Sequence, residues 1–192
     1  MSSRERVVNA LEGGRSDRTP VALHNFLMAG RYAGFDDLSQ WLQNGEMIAA
    51  AQLKFWRGFQ QDALLIENGV TALAQAVGCE IRYAKDVPPH VAKPVLNDGL
   101  EGIQKLRVPD PLRIHPLCEI VKAVRICRAE TGGRVYVMGR ADQGPNALAA
   151  ALRGPGQWIL DLMDPELESP VAKVLEFATA CNIRYAQALL EA

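Results

Sequence analysis

Three places in the chain put hydrogen-bonding or charged side chains directly after a short apolar run. His24-Asn25 follow Val21-Ala22-Leu23, Glu67-Asn68 follow Ala63-Leu64-Leu65-Ile66, and Arg140, with Gln143 three residues on, follows Val135-Tyr136-Val137-Met138. An imidazole, a carboxylate, a guanidinium and side-chain amides are groups that grip a polar small molecule and move protons at its edge. With Arg31, these seven residues are the candidate substrate-binding set, and no residue is assigned a catalytic role. Each has a bland reading beside the functional one. His24 and Asn25 can satisfy loop backbone groups, and Arg31 can support a loop through backbone carbonyls.

The elements that would position them follow from the pattern. A continuous apolar run such as Ala63 to Ile66 suits a strand buried on both faces, as in a parallel sheet. Three such strands, at Val21, Ala63 and Arg134 to Met138, would bring their polar ends to one rim. Ser2-Ser3-Arg4-Glu5 has capping-box spacing and opens a lid helix that Gly13-Gly14 ends; Arg15 to Arg18 then reads as a solvated turn. After the first strand a loop flanked by Gly30 and Gly34 leads to Asp36, which can cap a helix carrying Leu38, Trp41 and Leu42. A break at Asn44-Gly45 precedes a second helical run with Ile48, Ala51, Phe55 and Phe59. Trp41, Phe55, Trp56 and Phe59 read as core, because no basic residues interleave with them as a base-stacking platform requires.

A helix from Thr71 to Val77 stops at Gly78, and Cys79 to Tyr83 alternates like an edge strand or extended arm. Val87 to Pro94 is a loop by its prolines, with His90 exposed in it. Gly99 to Leu106 reads as a short helix, and Pro116 fits the first turn of the next helix, which keeps its spacing through Cys127 until Gly132-Gly133. Beyond the third strand, Asp142-Gln143-Gly144-Pro145 is a turn, and the helix from Ala147 to Arg153 could bind an anion at its start. A short helix holds Trp158, Ile159, Leu162 and Met163. A last one starts at Ser169-Pro170 with a stripe of Val171, Val174, Leu175, Ala178, Cys181, Tyr185 and Leu189. Strands separated by helical connections imply right-handed crossovers and an α/β fold with a parallel sheet. Three strands are too few to close a barrel of eight, so the 192 residues are expected to be a fragment.

Composition narrows the partners. A formal net charge of −1 with interspersed signs offers no basic face to nucleic acid. No apolar run approaches the roughly 18 residues a membrane span needs, and the N-terminus lacks the apolar region of a signal peptide, so a cytoplasmic protein with no membrane partner is expected. Cys79, Cys118, Cys127 and Cys181 lie far apart without a C-x-x-C pair or histidines at ligand spacing, so reduced, mostly buried thiols are expected and no metal is assigned.

Five stretches in order resemble the uroporphyrinogen decarboxylase superfamily: Arg4-Glu5-Arg6-Val7, Asp17-Arg18-Thr19-Pro20-Val21, Ala29-Gly30-Arg31-Tyr32, the Asp62 strand with Ala74-Gln75-Ala76-Val77-Gly78-Cys79-Glu80-Ile81, and Gly144-Pro145 leading to Arg153-Gly154. The resemblance implies a (β/α)8 TIM barrel of roughly 340 residues, within the range of roughly 200 to 400 for such barrels. The chain would then be its N-terminal half, residues 1 to 192, truncated. The superfamily holds cofactor-free porphyrinogen decarboxylases and cobalamin-dependent methyltransferases that activate a thiol on zinc. In the decarboxylases an Arg-Gln pair precedes the Ala-Gly-Arg-Tyr motif; here Leu27 and Met28 stand there. The aspartate after the second strand aligns with Gly69, and the tyrosine of the helix after the third strand falls near Ala151. Glu67 could replace the missing carboxylate only if the register slips.

The resemblance therefore implies the methyltransferase-like branch, with methyl transfer between a corrinoid and a thiol when complete. It places no cofactor within this chain, and zinc and a corrinoid in the complete protein. A small-molecule substrate or a corrinoid protein is the implied partner. A uroporphyrinogen decarboxylase of porphyrin biosynthesis is the second reading, and a non-enzymatic half-barrel that forms a homodimer through its exposed sheet edge is the third.

Overall fold

The computed structural model describes residues 1–25, 27–67 and 69–192. Helix α1 (Ser3–Leu11) starts on the expected capping box: the Ser2 hydroxyl accepts the Glu5 N–H and the Glu5 carboxylate accepts the Ser2 N–H. Strand β1 (Ala63–Ile66) pairs in parallel with β4 (Tyr136–Gly139), with Ala63 opposite Tyr136 and Ile66 opposite Gly139. Ala22 makes a single parallel bridge to Ala63. The sheet thus runs in chain order from Ala22 through β1 to β4. Of the expected first strand only that bridge forms, because Pro20 lacks a donor and the chain is already in a turn at Leu27, one residue before the helix at Met28.

Helices fill the crossovers. α2 (Met28–Ala33) takes in the stretch between Gly30 and Gly34 expected to be a loop, and ends on Gly34 at φ 90°, a left-handed cap. In α2, Gly30 lies so close to the Trp41 indole that a Cβ there would overlap ring atoms. The short α3 (Leu38–Trp41) is capped by Asp37 rather than Asp36, and α4 (Gly45–Phe59) by Asn44, whose side chain accepts the Met47 N–H. Trp41 and Phe55 are buried as expected, but Phe59 is half exposed and stacks on Phe55 with ring centroids 4.3 Å apart.

After β1, α5 (Ala72–Val77) leads to an antiparallel hairpin of β2 (Glu80–Arg82) and β3 (His90–Lys93). β3 corrects the reading of this stretch as loop: its prolines, Pro88, Pro89 and Pro94, lie outside the paired residues. His90 is exposed, as expected. Residues Leu100–Lys105 form the expected short helix, of the 3-10 type, and Pro116 caps α6 (Leu117–Thr131) from just outside it. After β4 come α7 (Pro145–Arg153), α8 (Pro155–Met163) and α9 (Glu168–Glu191), α7 starting two residues before the expected Ala147. The α9 stripe is buried at Val171, Val174, Ala178, Cys181, Tyr185 and Leu189, while Leu175 is half-buried. No helix among the described residues is long and apolar enough to cross a membrane.

The Arg15 to Arg18 turn is more than a solvated connection. Asp62, fully buried just before β1, accepts from Arg6 Nη1 at 2.6 Å, from Arg18 Nη1 and Nη2 at 2.6 and 2.9 Å, and from the Val21 N–H at 2.8 Å. Arg6 turns its other edge to both oxygens of Asp17, at 2.6 and 2.8 Å. Burial alone would raise the Asp62 carboxyl, but Arg18, the Val21 N–H and Arg6 outweigh it and bring it down to about 2 from 3.8. The stability this contributes is fully present above pH 3.8 and is lost as pH falls towards 2. Removing one partner of a buried ion pair leaves the other uncompensated. Asp62→Asn is expected to lower the unfolding free energy by about 3 kcal/mol in urea titrations at pH 7. It should also remove the share of the acid sensitivity below pH 3.8 that Asp62 contributes, leaving the shares of Asp17, Asp37 and Asp161. Gly30→Ala is expected to cost ~1–3 kcal/mol in the same assay, since the Trp41 ring must move.

Candidate functional site

The β1–β4 register decides which side chains meet at the strand ends. Leu65 opposes Met138 and Ile66 opposes Gly139, so Glu67 and Arg140, the next residues on each strand, are neighbours across the pair. Arg140 Nη1 donates to Glu67 Oε2 at 2.5 Å, and its backbone N–H donates to the Ile66 carbonyl at 3.2 Å. His24 Nε2 lies 2.9 Å from Glu67 Oε1 and 3.2 Å from Arg140 Nη1. A carboxylate paired to a guanidinium can only accept, so Nε2 carries the hydrogen and donates to Glu67, and the approach of Arg140 to His24 reflects two donors aimed at one carboxylate. The result is a three-residue cluster, His24–Glu67–Arg140, one member from each of the three sheet positions. Glu67 is nearly closed off from solvent, Arg140 is mostly covered, and the His24 side chain is 59% exposed.

The other sequence candidates are placed differently. Asn25 turns away from the cluster and forms a reciprocal amide pair with Gln52 of α4, Nδ2 to Oε1 at 2.9 Å and Nε2 to Oδ1 at 3.1 Å, both residues buried. This satisfies side-chain amides rather than loop backbone, and it ties the end of the first strand segment to α4. Arg31 is exposed on α2, and among the described residues its side chain makes no hydrogen bond or ion pair. Gln143 is exposed; its backbone N–H donates to Asp142 Oδ1 at 2.8 Å. Asn68 lies outside the described residues. The Gly144-Pro145 start of α7 carries no side-chain cap.

Two residues that the sequence reading did not single out stand behind Glu67 and Arg140. Asp142 sits in the left-handed region at φ 66°, and with Tyr185 of α9 it lines a small void shared with Glu67, Gly69, Ala72, Ile120 and Arg140. Burial pushes the Asp142 carboxyl up to about 6, against the opposing Gln143 N–H and Arg140. The Tyr185 hydroxyl is buried without a hydrogen-bond partner among the described residues, and burial followed by the nearby Asp142 raises it well above the usual phenol range. The available signal was the tyrosine within an otherwise aliphatic stripe, since a buried Tyr brings a polar tip into the core.

A large groove opens beside the cluster along the free edge of β4. It holds about 1160 Å³ and is walled by Leu65, Val137, Leu189 and Leu190, with Arg4, Arg128, Arg140 and His24 around it. No three His, Cys, Asp or Glu side chains gather to hold a metal among the described residues. The cysteines are all free; Cys79, Cys127 and Cys181 are buried, and burial pushes the Cys127 and Cys181 thiols up to about 12, which keeps them inert.

Parallel strands in chain order, helical crossovers and a polar cluster at the carboxyl ends of the strands define an α/β protein of the TIM-barrel type, seen over part of such a barrel. The chain belongs to the uroporphyrinogen decarboxylase (URO-D) family, whose model matches residues 2–192. It is 28% identical to a uroporphyrinogen decarboxylase of Histophilus somni and 29% identical to one of Shewanella loihica, each over 143 residues, 70% of this chain and 39% of the relative. A methyltransferase from Methanosarcina mazei superposes over the whole chain with a TM-score of 0.85 at 25% identity, and 56% of that protein is covered. The chain thus spans about two fifths of the length of these curated relatives and somewhat over half of the methyltransferase.

Asp142 gives a test of the site's electrostatics. Its raised carboxyl means that the folded state holds a proton the unfolded chain releases, so its contribution to stability declines as pH rises from 3.8 to about 6 and is constant above. Asp142→Asn keeps an acceptor for the Gln143 N–H and is expected to remove that decline. Thermal unfolding of both proteins between pH 4 and 7.5 should therefore show the variant gaining on the parent up to about pH 6 and holding a constant lead beyond it.

Proposed function

We propose that the chain supplies one wall of a methyltransferase-like site of the URO-D superfamily, one that acts on a methyl-corrinoid or a small methylated molecule together with a thiol, and that the chain alone is inactive. The observation that carries this reading is that the decarboxylases' carboxylate-binding pair is gone, although Arg31 on α2 and Arg4 and Arg128 beside the groove remain. Leu27 and Met28 stand in place of the decarboxylases' Arg-Gln pair, and the guanidinium at the strand ends, Arg140, is already compensated by Glu67. A polyanionic substrate needs uncommitted cations or bidentate donors to offset its desolvation. The likeness to the M. mazei methyltransferase supports the same choice.

The described residues do not fit a zinc site: no three candidate ligands converge, and three of the four thiols are buried. The groove along β4, with Leu65, Val137, Leu189 and Leu190 in its wall, is the surface we assign to the broad face of a corrinoid. Bound there, a corrinoid would supply or take up the methyl group. The chain's own residues would orient what lies beside it: Arg140 fixes the Glu67 carboxylate, Glu67 accepts the His24 Nε2 hydrogen and so sets the plane of the imidazole, and Leu189 and Leu190 exclude water from the groove wall.

A second reading, decarboxylation of a porphyrinogen, is favoured by the curated relatives. Two assays on the chain bear on the choice: cobalamin binding tests the first reading, and coproporphyrinogen formed from uroporphyrinogen would establish the second. Titration with methylcobalamin is expected to shift the visible spectrum saturably, with affinity weakened about tenfold by Leu190→Glu at the exposed groove wall, where a charge must be desolvated. Incubation with uroporphyrinogen is expected to yield no coproporphyrinogen. Its formation would reverse the order, and an unresponsive cobalamin spectrum would remove the first reading.

A further inference from the structure

Helix α8 carries its apolar residues on the wrong side for a packed helix. Trp158 and Asp161 face inward, Asp161 held by Arg153 Nε at 2.6 Å and Gln157 Nε2 at 2.9 Å. Ile159, Leu160, Leu162 and Met163 are 57, 60, 47 and 76% exposed. At 100° per residue these four cover an arc of roughly 160° on the outer face. Leu162 and Met163 continue into a groove of about 400 Å³ against α9, floored by Val171 and Leu175. The charged residues lining that groove are Asp161, Asp164 and Glu168, and among the described residues no lysine or arginine lines it. Contiguous exposed apolar surface with a charged rim marks an interaction site.

The charge of the rim selects among occupants. A second copy of the chain meeting this face by a two-fold axis would bring one acidic rim against another, which opposes association. Helices that lie on a membrane carry lysine and arginine on the polar face and seek anionic lipid; this rim would be repelled. The geometry points to a protein partner that lays an amphipathic helix into the α8–α9 groove, its leucine-type side chains in the apolar floor and its lysines or arginines against Asp164 and Glu168. This is helix-in-groove recognition, with area from the floor and orientation from the rim. The inference stands apart from the proposed chemistry, whose cluster lies on other residues.

The probes are two fluorescein-labelled 14-residue helical peptides with the same leucine face, one flanked by lysines and one by glutamates, followed by fluorescence anisotropy with the whole chain. The lysine-flanked peptide is expected to bind saturably and to weaken with salt, as exposed charge pairs do. Asp164→Lys with Glu168→Lys is expected to lower its affinity on the order of tenfold and to let the glutamate-flanked peptide bind. Leu162→Ser with Met163→Ser, both at exposed positions, is expected to abolish binding of either peptide. The inference is overturned by absent binding, by equal binding of both peptides to the parent chain, or by variants that bind like it. It is overturned equally if the serine variant abolishes a concentration-dependent dimer in sedimentation, or abolishes flotation with phosphatidylcholine–phosphatidylserine vesicles, since the face would then belong to a second copy or to a lipid surface.

Discussion

The buried carboxylate of Asp62 is the constraint on which the rest of this fold hangs. It sits where the chain enters the central strand, and it joins three segments far apart in sequence: α1 through Arg6, the turn through Arg18, and the first strand segment through the Val21 N–H. A carboxylate this deep is tolerated because cationic and backbone donors surround it. Once those donors converge, the offset between Val21 and β1 is fixed, and with it the level at which His24 meets Glu67. The His24–Glu67–Arg140 cluster at one end of the sheet is therefore registered by an ion-pair network at the other.

Much of this architecture was legible. Ala63 to Ile66 is apolar without interruption, and it is the central strand with the bounds read from sequence. The capping box at Ser2 and the breaks at Asn44 and Gly132 are local signals, and local hydrogen bonding made them reliable. What escaped was set by tertiary partners. The stretch flanked by Gly30 and Gly34 reads as loop, yet Gly30 is required by the close approach of the Trp41 ring, a contact invisible in a window of a few residues. Arg18 reads as solvated because its acceptor is 44 positions away. His90 to Lys93 pairs with Glu80 to Arg82 although prolines bracket it.

The site was legible as a rim and illegible as a constellation. Period and polarity placed His24, Glu67 and Arg140 at strand ends, and parallel register brought them together. The same logic included Asn25, one residue past His24, whose side chain points to the opposite face and spends its hydrogen bonds on Gln52. Asp142 and Tyr185 went unseen because a turn aspartate and a helix-stripe tyrosine are ordinary in sequence. Only the fold shows that they share one void with Glu67 and Arg140.

The Asn25–Gln52 pair has a consequence of its own. Both partners are neutral amides, with no proton to gain or lose across the range in which a protein stays folded. The tether between the rim and α4 is thus a gauge of constant length, fixed beside a neighbourhood in which Asp142 changes its charge near neutrality. Acidity can alter what this rim attracts without altering where its residue 25 stands, so any proton dependence of ligand capture reads as chemistry at the mouth rather than as a shift of the scaffold beneath it.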